Sequence, residues 1–532
     1  MTLPPLVEAM LDPSFYPHRP AQVSLAQTHI SYVFLAGSEV FKIKKPVSFR
    51  FLDFSTLDLR REVCREEVRL NRRLAPETYL GVVGVKRAGS TFALAAEEDP
   101  AAIEYAVHMR RLPDDRFLTN LIEHGQLTEE MIDELAARLA AFHAAARSDA
   151  AVTASGAPEA IARVAEDSFA TARRFRTQSI SPRDDDRIQG FLRGFLESER
   201  PRLEQRMAEG RIRECHGDLH GEHVCFTTPL VIFDCIEFSE SLRCCDVASE
   251  IAFLAMDLTF RGREDLAEHF VGCYAERSGD FELPGLVPFY ACYRAYVRGM
   301  VDSLAAGEPE MEERERPVRW ESARRHFLLS QRYAWAYRSG LVVLVGLSGS
   351  GKSNVAAALA ERTGFRSWSS DVERKRLAGL DLVDRAGREG AKEIYSPQFS
   401  ARTYAALYEN AERHLAAGRG VILDATFLRR IDRDRARALT SRLGKPILIV
   451  ECRCDEDEIR RRLERREVEN TDPSDADLEI HMQQRRVYEP TSGDEPATMT
   501  VDTTGGIDAA LELVEARLLE VTQQSASLHQ IR

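Results

Sequence analysis

Two clusters of side chains have the types and spacing needed to move a phosphoryl group. The first is Gly346-Leu-Ser-Gly-Ser-Gly-Lys-Ser353, which follows an apolar run and leads into a helix-forming stretch from Asn354. A strand, a glycine-rich turn and a helix let backbone N–H groups converge on phosphate oxygens, where the helix dipole also favours negative charge. Gly346, Ser348, Gly349, Ser350, Gly351 and Asn354 would form that cradle. Lys352 would reach the outer phosphates, and the Ser353 hydroxyl would ligate Mg²⁺. The second cluster is His216-Gly-Asp-Leu-His220, followed by His223 and Asp234. The apolar runs on either side of Thr227-Thr-Pro229 read as a β-hairpin, which places His223 beside Asp234 with Asp218 on the loop just before. Of these two carboxylates, one would orient and deprotonate a hydroxyl while the other holds Mg²⁺ on a nucleotide.

The elements around each cluster suit that work. Short β-branched and aromatic runs between residues 21 and 45 predict an antiparallel meander, and residues 57–74 turn charged and helical. Ala101-Ala-Ile-Glu-Tyr-Ala-Val-His-Met109 predicts a further strand, and residues 127–143 a long amphipathic helix. The cluster Arg183-Asp-Asp-Asp-Arg187 reads as a solvated loop or helix end. Together these predict an α+β first half. In the second half, Arg366-Ser-Trp-Ser-Ser-Asp371, Gly420-Val-Ile-Leu-Asp424, Pro446-Ile-Leu-Ile-Val-Glu-Cys452 and Thr498-Met-Thr-Val-Asp502 are strand-like, with helical stretches between them. That alternation predicts an α/β domain with a parallel sheet and ligands at the carboxyl ends of its strands. Asp371 and Asp424 would then face the glycine-rich loop, Asp424 supporting the metal and Asp371 meeting an acceptor hydroxyl. Arg462 and Arg466, four residues apart on one helical face, could close over the transferring group.

At 532 residues the chain calls for more than one core. A division into 1–305, a linking helix over 306–338, and 339–532 is expected. The formal charge of -13 argues against broad binding to nucleic acid or anionic membrane. The ten cysteines form no disulfide or zinc-ribbon pattern and read as buried thiols of a reducing compartment. No run approaches the roughly 20 apolar residues that span a bilayer, and no secretory signal is evident, so a cytoplasmic location is expected.

The first half resembles the aminoglycoside phosphotransferase family, the bacterial branch of the protein-kinase-like fold, over roughly residues 20 to 300. HGDLH matches its catalytic-loop motif and Phe233-Asp234 its metal-binding acid. Asp246 and Glu250 resemble the paired acids that follow. Val40-Phe-Lys-Ile-Lys44 resembles the strand carrying the phosphate lysine, with Lys42 and Lys44 both candidates and Glu67 the helix partner. Glu104 to Met109 resembles the hinge between lobes. Two departures stand out: His223 replaces the family's Asn, so that the resemblance implies an imidazole as the second metal ligand beside Asp234, and the turn Thr28-His-Ile-Ser31 lacks glycine. Residues 340–532 resemble small P-loop kinases of the gluconate-kinase, zeta-toxin and polynucleotide-kinase type. Ser369-Ser-Asp371, Asp424-Ala-Thr426, the arginines 462–466, Gln484 and Glu489-Pro490 carry that likeness.

These readings combine into a multidomain ATP-dependent phosphotransferase with two kinase-type domains. ATP and Mg²⁺ are the implied cofactors, and small-molecule hydroxyls the implied acceptors. A 5′-hydroxyl nucleic-acid acceptor stays open for the second domain. The alternative is a single P-loop kinase gated by a kinase-like domain that binds without catalysing.

Overall fold

The computed structural model describes residues 3–49, 52–308, 311–381, 394, 396–469 and 478–529. They form two compact units, Met1–Ser330 and Gln331–Arg532.

The first unit opens with a six-stranded antiparallel sheet: β1 (Val23–Gln27), β2 (Ser31–Ala36), β3 (Glu39–Lys44), β4 (Tyr79–Ala88), β5 (Thr91–Ala95) and β6 (Ala102–Arg110). Their spatial order is β1-β2-β3-β6-β4-β5, so β3 and β6 lie at the centre. Helix α1 (Leu57–Asn71) starts where Thr56 caps the Leu59 amide and packs against β4 and β6. Strand alternation sorts the side chains of β3. Val40 joins Cys64 and Val68 of α1 in one apolar cluster, and Phe41 and Ile43 pack on the opposite face with Met10 and Tyr16. Lys42 and Lys44 therefore share the α1 side. The stretch Glu104–Met109 is not a hinge: it lies inside β6, paired to β3 and β4 on its two edges.

A helical portion follows, built on α2 (Glu129–Ala145), α3 (Pro158–Ala172), α4 (Pro182–Ser198), α5 (Val247–Phe260), α6 (Glu264–Ser278), α7 (Val287–Gly307) and α8 (Arg316–Ala334). Between α4 and α5 sits the hairpin β7 (Val224–Cys225) and β8 (Val231–Ile232). The Arg183–Arg187 cluster lies at a helix end, as one of its two readings had it, but it is not all solvated. Ser181 and Pro182 start α4 there, which turns Asp185 onto the inner face with Ile188 and Leu192. Asp185 is fully buried, pairs with Arg176 at 2.5 Å and accepts from the Tyr296 hydroxyl at 2.7 Å. The first unit also claims most of α8: Ser322 donates to Asp302 at 2.7 Å and Ser330 to the Cys292 carbonyl at 2.8 Å.

The second unit is a five-stranded parallel sheet of β9 (Leu341–Val345), β10 (Arg366–Ser369), β11 (Val421–Asp424), β12 (Ile447–Arg453) and β13 (Thr498–Asp502). Its order, β10-β11-β9-β12-β13, places the first strand in the middle. Both faces of β9 are buried, Val342 and Leu344 in one core and Leu341, Val343 and Val345 in the other. This is why the strand reads as a continuous apolar run. The helices are α9 (Lys352–Thr363), α10 (Ser370–Ala378), α11 (Pro397–Ala416), α12 (Arg430–Leu443), α13 (Glu456–Glu469), α14 (Leu478–Val487) and α15 (Asp508–His529). Asp371 differs from its expected place. Strand β10 ends at Ser369, whose hydroxyl accepts from the Asp371 amide, so Asp371 sits in the first turn of α10.

One buried ion cluster ties the helical portion together. Arg206 is fully buried and bonds Asp246 at 2.6 and 2.7 Å and Asp280 at 2.9 and 2.8 Å. Asp246 is thus the partner of a structural arginine. Removing one member of a buried ion cluster leaves the others uncompensated, at about 3–5 kcal/mol. Arg206→Ala should destabilise the first unit by that amount in chemical denaturation, whereas a fully exposed arginine such as Arg314 should cost almost nothing.

Candidate active sites

In the second unit the loop between β9 and α9 turns back sharply at Gly346, with φ of 145°, and at Gly351, with φ of 82°. A Cβ on Gly346 would lie 2.6 Å from the Cys452 carbonyl oxygen, so only glycine fits the close approach to β12. Lys352, the first residue of α9, is buried, and its Nζ donates to the Leu347 carbonyl at 2.8 Å. Burial pulls the Lys352 ammonium below its ordinary value, opposed by the nearby Asp424 and Asp371. Ser350 Oγ is buried without a hydrogen-bond partner among the described residues.

The loop opens into a cavity of about 1060 Å³. Lys352, Ser353, Asn354, Asp371, Asp424 and Arg466 all reach it. Asp424 stands at the end of β11, one strand from the loop. Asp371 pairs with Arg374 at 2.8 Å. Arg462 reaches the same cavity but is anchored beside the loop, bonding Glu458 at 3.0 Å and the Thr503 carbonyl at 2.6 Å. Two α14 side chains grip the loop backbone. Gln484 accepts from the Ser348 amide at 2.9 Å, and His481 Nδ1 donates to the Ser348 carbonyl at 3.0 Å. His481 carried no signal in the sequence, being one imidazole in a polar helix.

In the first unit the loop Gly217–His220 is suspended from α5. Glu250 accepts from the His216 amide at 2.8 Å, the Gly217 amide at 2.7 Å and His143 Nε2 at 3.0 Å. Burial would raise this carboxyl, but His143 and the amides hold it at about 2. Asp218 is half-buried and points at two imidazoles: its Oδ2 lies 3.5 Å from His220 Nε2 and 3.7 Å from His223 Nδ1. Burial alone would raise Asp218, yet His220, His223 and Arg298 hold it far below the usual carboxylate range. Arg298, on α7, was not singled out in the sequence, because a lone arginine in a helix gives no motif.

Asp234 follows the hairpin in a left-handed conformation, φ 62°, with its amide donating to the Tyr79 hydroxyl at 3.1 Å. Its Oδ1 is 2.5 Å from Lys42 Nζ and its Oδ2 is 3.6 Å from His223 Nε2. Burial opposes the Asp234 charge, and Lys42 and His223 outweigh it, so the carboxyl stays far below its ordinary value. Lys42 also bonds Glu67 at 2.9 Å. Lys44 meets the other oxygen of Glu67 at 2.5 Å and pairs with Glu237. Of the two candidate lysines, then, Lys42 faces Asp234 and Lys44 faces Glu237. Asp218, His223, Asp234, Lys42 and Glu67 come together as a continuous chain of contacts.

The donor sets fit a divalent cation. His223 Nδ1 lies 2.8 Å from the Asp218 carbonyl oxygen, which assigns its proton there and leaves the Nε2 lone pair toward Asp234. Burial and the neighbouring His220 lower His223 to about 4, so the ring is neutral at pH 7. A cation with bonds of about 2.1 Å can bridge two ligand atoms up to about 4.2 Å apart, and Nε2 and the Asp234 carboxylate lie within that span. The Thr28–Ser31 turn is held by the Thr28 hydroxyl, which accepts from the Ile30 and Ser31 amides at 3.3 and 3.0 Å.

Comparison with known proteins follows the same division. Residues 34–284 match the model of the phosphotransferase enzyme family, and residues 341–491 match that of an AAA domain. Uncharacterized proteins of Mycobacterium bovis and Mycobacterium tuberculosis are 32% identical over 443 residues, covering 81% of this chain and 83% of theirs. Among solved structures, a gluconokinase from Sinorhizobium meliloti 1021 is 22% identical with a TM-score of 0.27, covering 36% of this chain and 96% of its own. The Mycobacterium tuberculosis APS kinase in complex with AMPPNP and APS is 21% identical with a TM-score of 0.25, covering 34% and 98%. The chain belongs to the family of these mycobacterial relatives; it carries a phosphotransferase-family domain followed by a P-loop kinase domain, and it is an ATP-dependent kinase.

Proposed function

We propose that both units catalyse, each transferring the γ-phosphoryl group of ATP to a hydroxyl of a small molecule. The observation that carries this reading is the chain of contacts from Glu67 through Lys42, Asp234 and His223 to Asp218. In the first unit Lys42 anchors the nucleotide phosphates and Asp234 with His223 holds Mg²⁺. Asp218 receives the acceptor hydroxyl. Its carboxylate is a weak base, held so by two imidazoles and Arg298. That suits a loose transition state, in which the hydroxyl is oriented first and gives up its proton late. In the second unit the loop amides and Lys352 hold phosphates, Ser353 and Asp424 hold Mg²⁺, and Asp371 orients the acceptor. Arg466, with Arg462 anchored beside it, stabilises charge on the group in flight. Mg²⁺ supplies charge neutralisation on the phosphate oxygens in both sites.

A second reading, in which the first unit binds and gates without catalysing, draws support from His223 in the family's Asn position and from the glycine-free turn at Thr28–Ser31. The two readings separate in a transfer assay with γ-labelled ATP and a panel of sugars, aminoglycosides, nucleosides and 5′-hydroxyl oligonucleotides. Lys352→Ala should remove one activity by about 100-fold or more and leave the other, and Asp218→Ala should do the reverse. Loss of every activity in Lys352→Ala alone would favour the gating reading, and variants that both match wild type would defeat the site assignments.

His223 makes a separate prediction about metal. Imidazole is a poor ligand for Mg²⁺ and a good one for Mn²⁺ and later divalent ions. In the Lys352→Ala background, calorimetry with a non-hydrolysable ATP analogue should show Mn²⁺ bound about 10-fold tighter relative to Mg²⁺ than in His223→Asn. Equal preference in the two proteins would remove His223 from the metal.

A further inference from the structure

Three unlike donors, none of them assigned to either candidate site, meet between α2 and α6. Asp133 stands on α2, and His269 and Cys273, four residues apart, share one face of α6. The two helices pack against each other along their length. His269 Nε2 and Cys273 Sγ each lie 2.9 Å from Asp133 Oδ1, and 3.5 Å from one another. All three residues are partly exposed.

The manner of convergence discriminates between chemistries. In a nucleophilic Cys-His-Asp arrangement the acid holds one ring nitrogen and the other faces sulfur. Here acid and sulfur both address the same Nε2, and all three atoms crowd one point. That is the disposition of ligands around an ion. Zinc bonds of about 2.0–2.3 Å in a tetrahedron place N and S about 3.5 Å apart, as observed, and set O about 3.4–3.6 Å from each. The carboxylate would swing outward by about half an ångström, which its exposure permits. The surrounding charges favour a cation, with Glu130 and Glu276 nearby against Arg277.

We propose that Asp133, His269 and Cys273 bind a thiophilic divalent cation of the Zn²⁺ class, bridging α2 and α6 with its fourth coordination position open to solvent. On binding, the Cys273 S–H bond breaks, a metal–sulfur bond forms and one proton leaves to the buffer, so affinity falls as pH falls. His269 donates its neutral Nε2 and Asp133 one carboxylate oxygen. The ion would staple two helices of the first unit, and the site does not rest on the proposed function.

The test is Co²⁺ and Zn²⁺ titration of the full chain, with Cys273→Ser, His269→Ala and Asp133→Asn compared with wild type. Wild type should show a thiolate-to-cobalt absorption band at one equivalent, displaced by Zn²⁺, with one proton released per ion in paired-buffer calorimetry. Cys273→Ser should abolish the band. His269→Ala and Asp133→Asn should weaken Zn²⁺ by at least about 10-fold, the loss that even a supporting group commands. Circular dichroism melting of each variant without metal establishes that it is folded. No thiolate band in wild type would overturn the site, as would Zn²⁺ affinity within two-fold of wild type in all three folded variants. A band that survives Cys273→Ser would assign the metal to another cysteine and equally overturn it.

Discussion

Two lysines on one strand cannot both leave water unless carboxylates meet them, and that constraint organises the first unit. Lys42 and Lys44 lie within the sheet-to-helix interface, where an unpaired ammonium would carry a heavy desolvation cost. Glu67 divides its two oxygens between them, which fixes α1 against β3. Asp234 and Glu237 complete the pairing from the segment after the hairpin. Three stretches far apart in sequence are thereby locked at one point, and the loop bearing Asp218 is held to the same frame through His223. The burial that makes the charges costly also ties each of them to its partner.

The second unit solves a different problem with a different device. Its parallel strands bring β9 and β11 to a common edge, so the loop and Asp424 arrive together. Helices α13 and α14 then close the loop from one side, through Arg462 on Thr503 and through Gln484 and His481 on Ser348.

Much of this was legible in the residues, and the reasons differ by element. The parallel sheet was readable because β9, β11 and β12 are buried on both faces and therefore continuously apolar. The hairpin was readable because Thr-Thr-Pro interrupts two short apolar runs. Glu104–Met109 was misread because strand β6 leads directly into the inter-element connection, and a motif likeness does not mark where pairing stops. Asp185 was misread because three consecutive aspartates look solvated, and only the register of α4 turns the second inward. Lys42 and Lys44 could not be separated by pattern, since alternation puts both on one face; their partners, Asp234 and Glu237, lie about 190 residues away. Glu237, His481 and Arg298 escaped notice for the same reason: each is a single polar residue whose partner is supplied by tertiary packing.

The peptide at Ser348 carries a consequence for how a nucleotide is received. Its N–H is taken by Gln484 and its carbonyl by His481, while Lys352 spends a proton on the Leu347 carbonyl. A phosphate oxygen arriving there does not add a hydrogen bond to an open donor; it displaces an oxygen already in place. Entry becomes an exchange, in which the heat released is the difference between two similar bonds. Such a seat gives little to a neutral visitor and reserves its advantage for a polyanion, whose several charges outbid an amide oxygen at once.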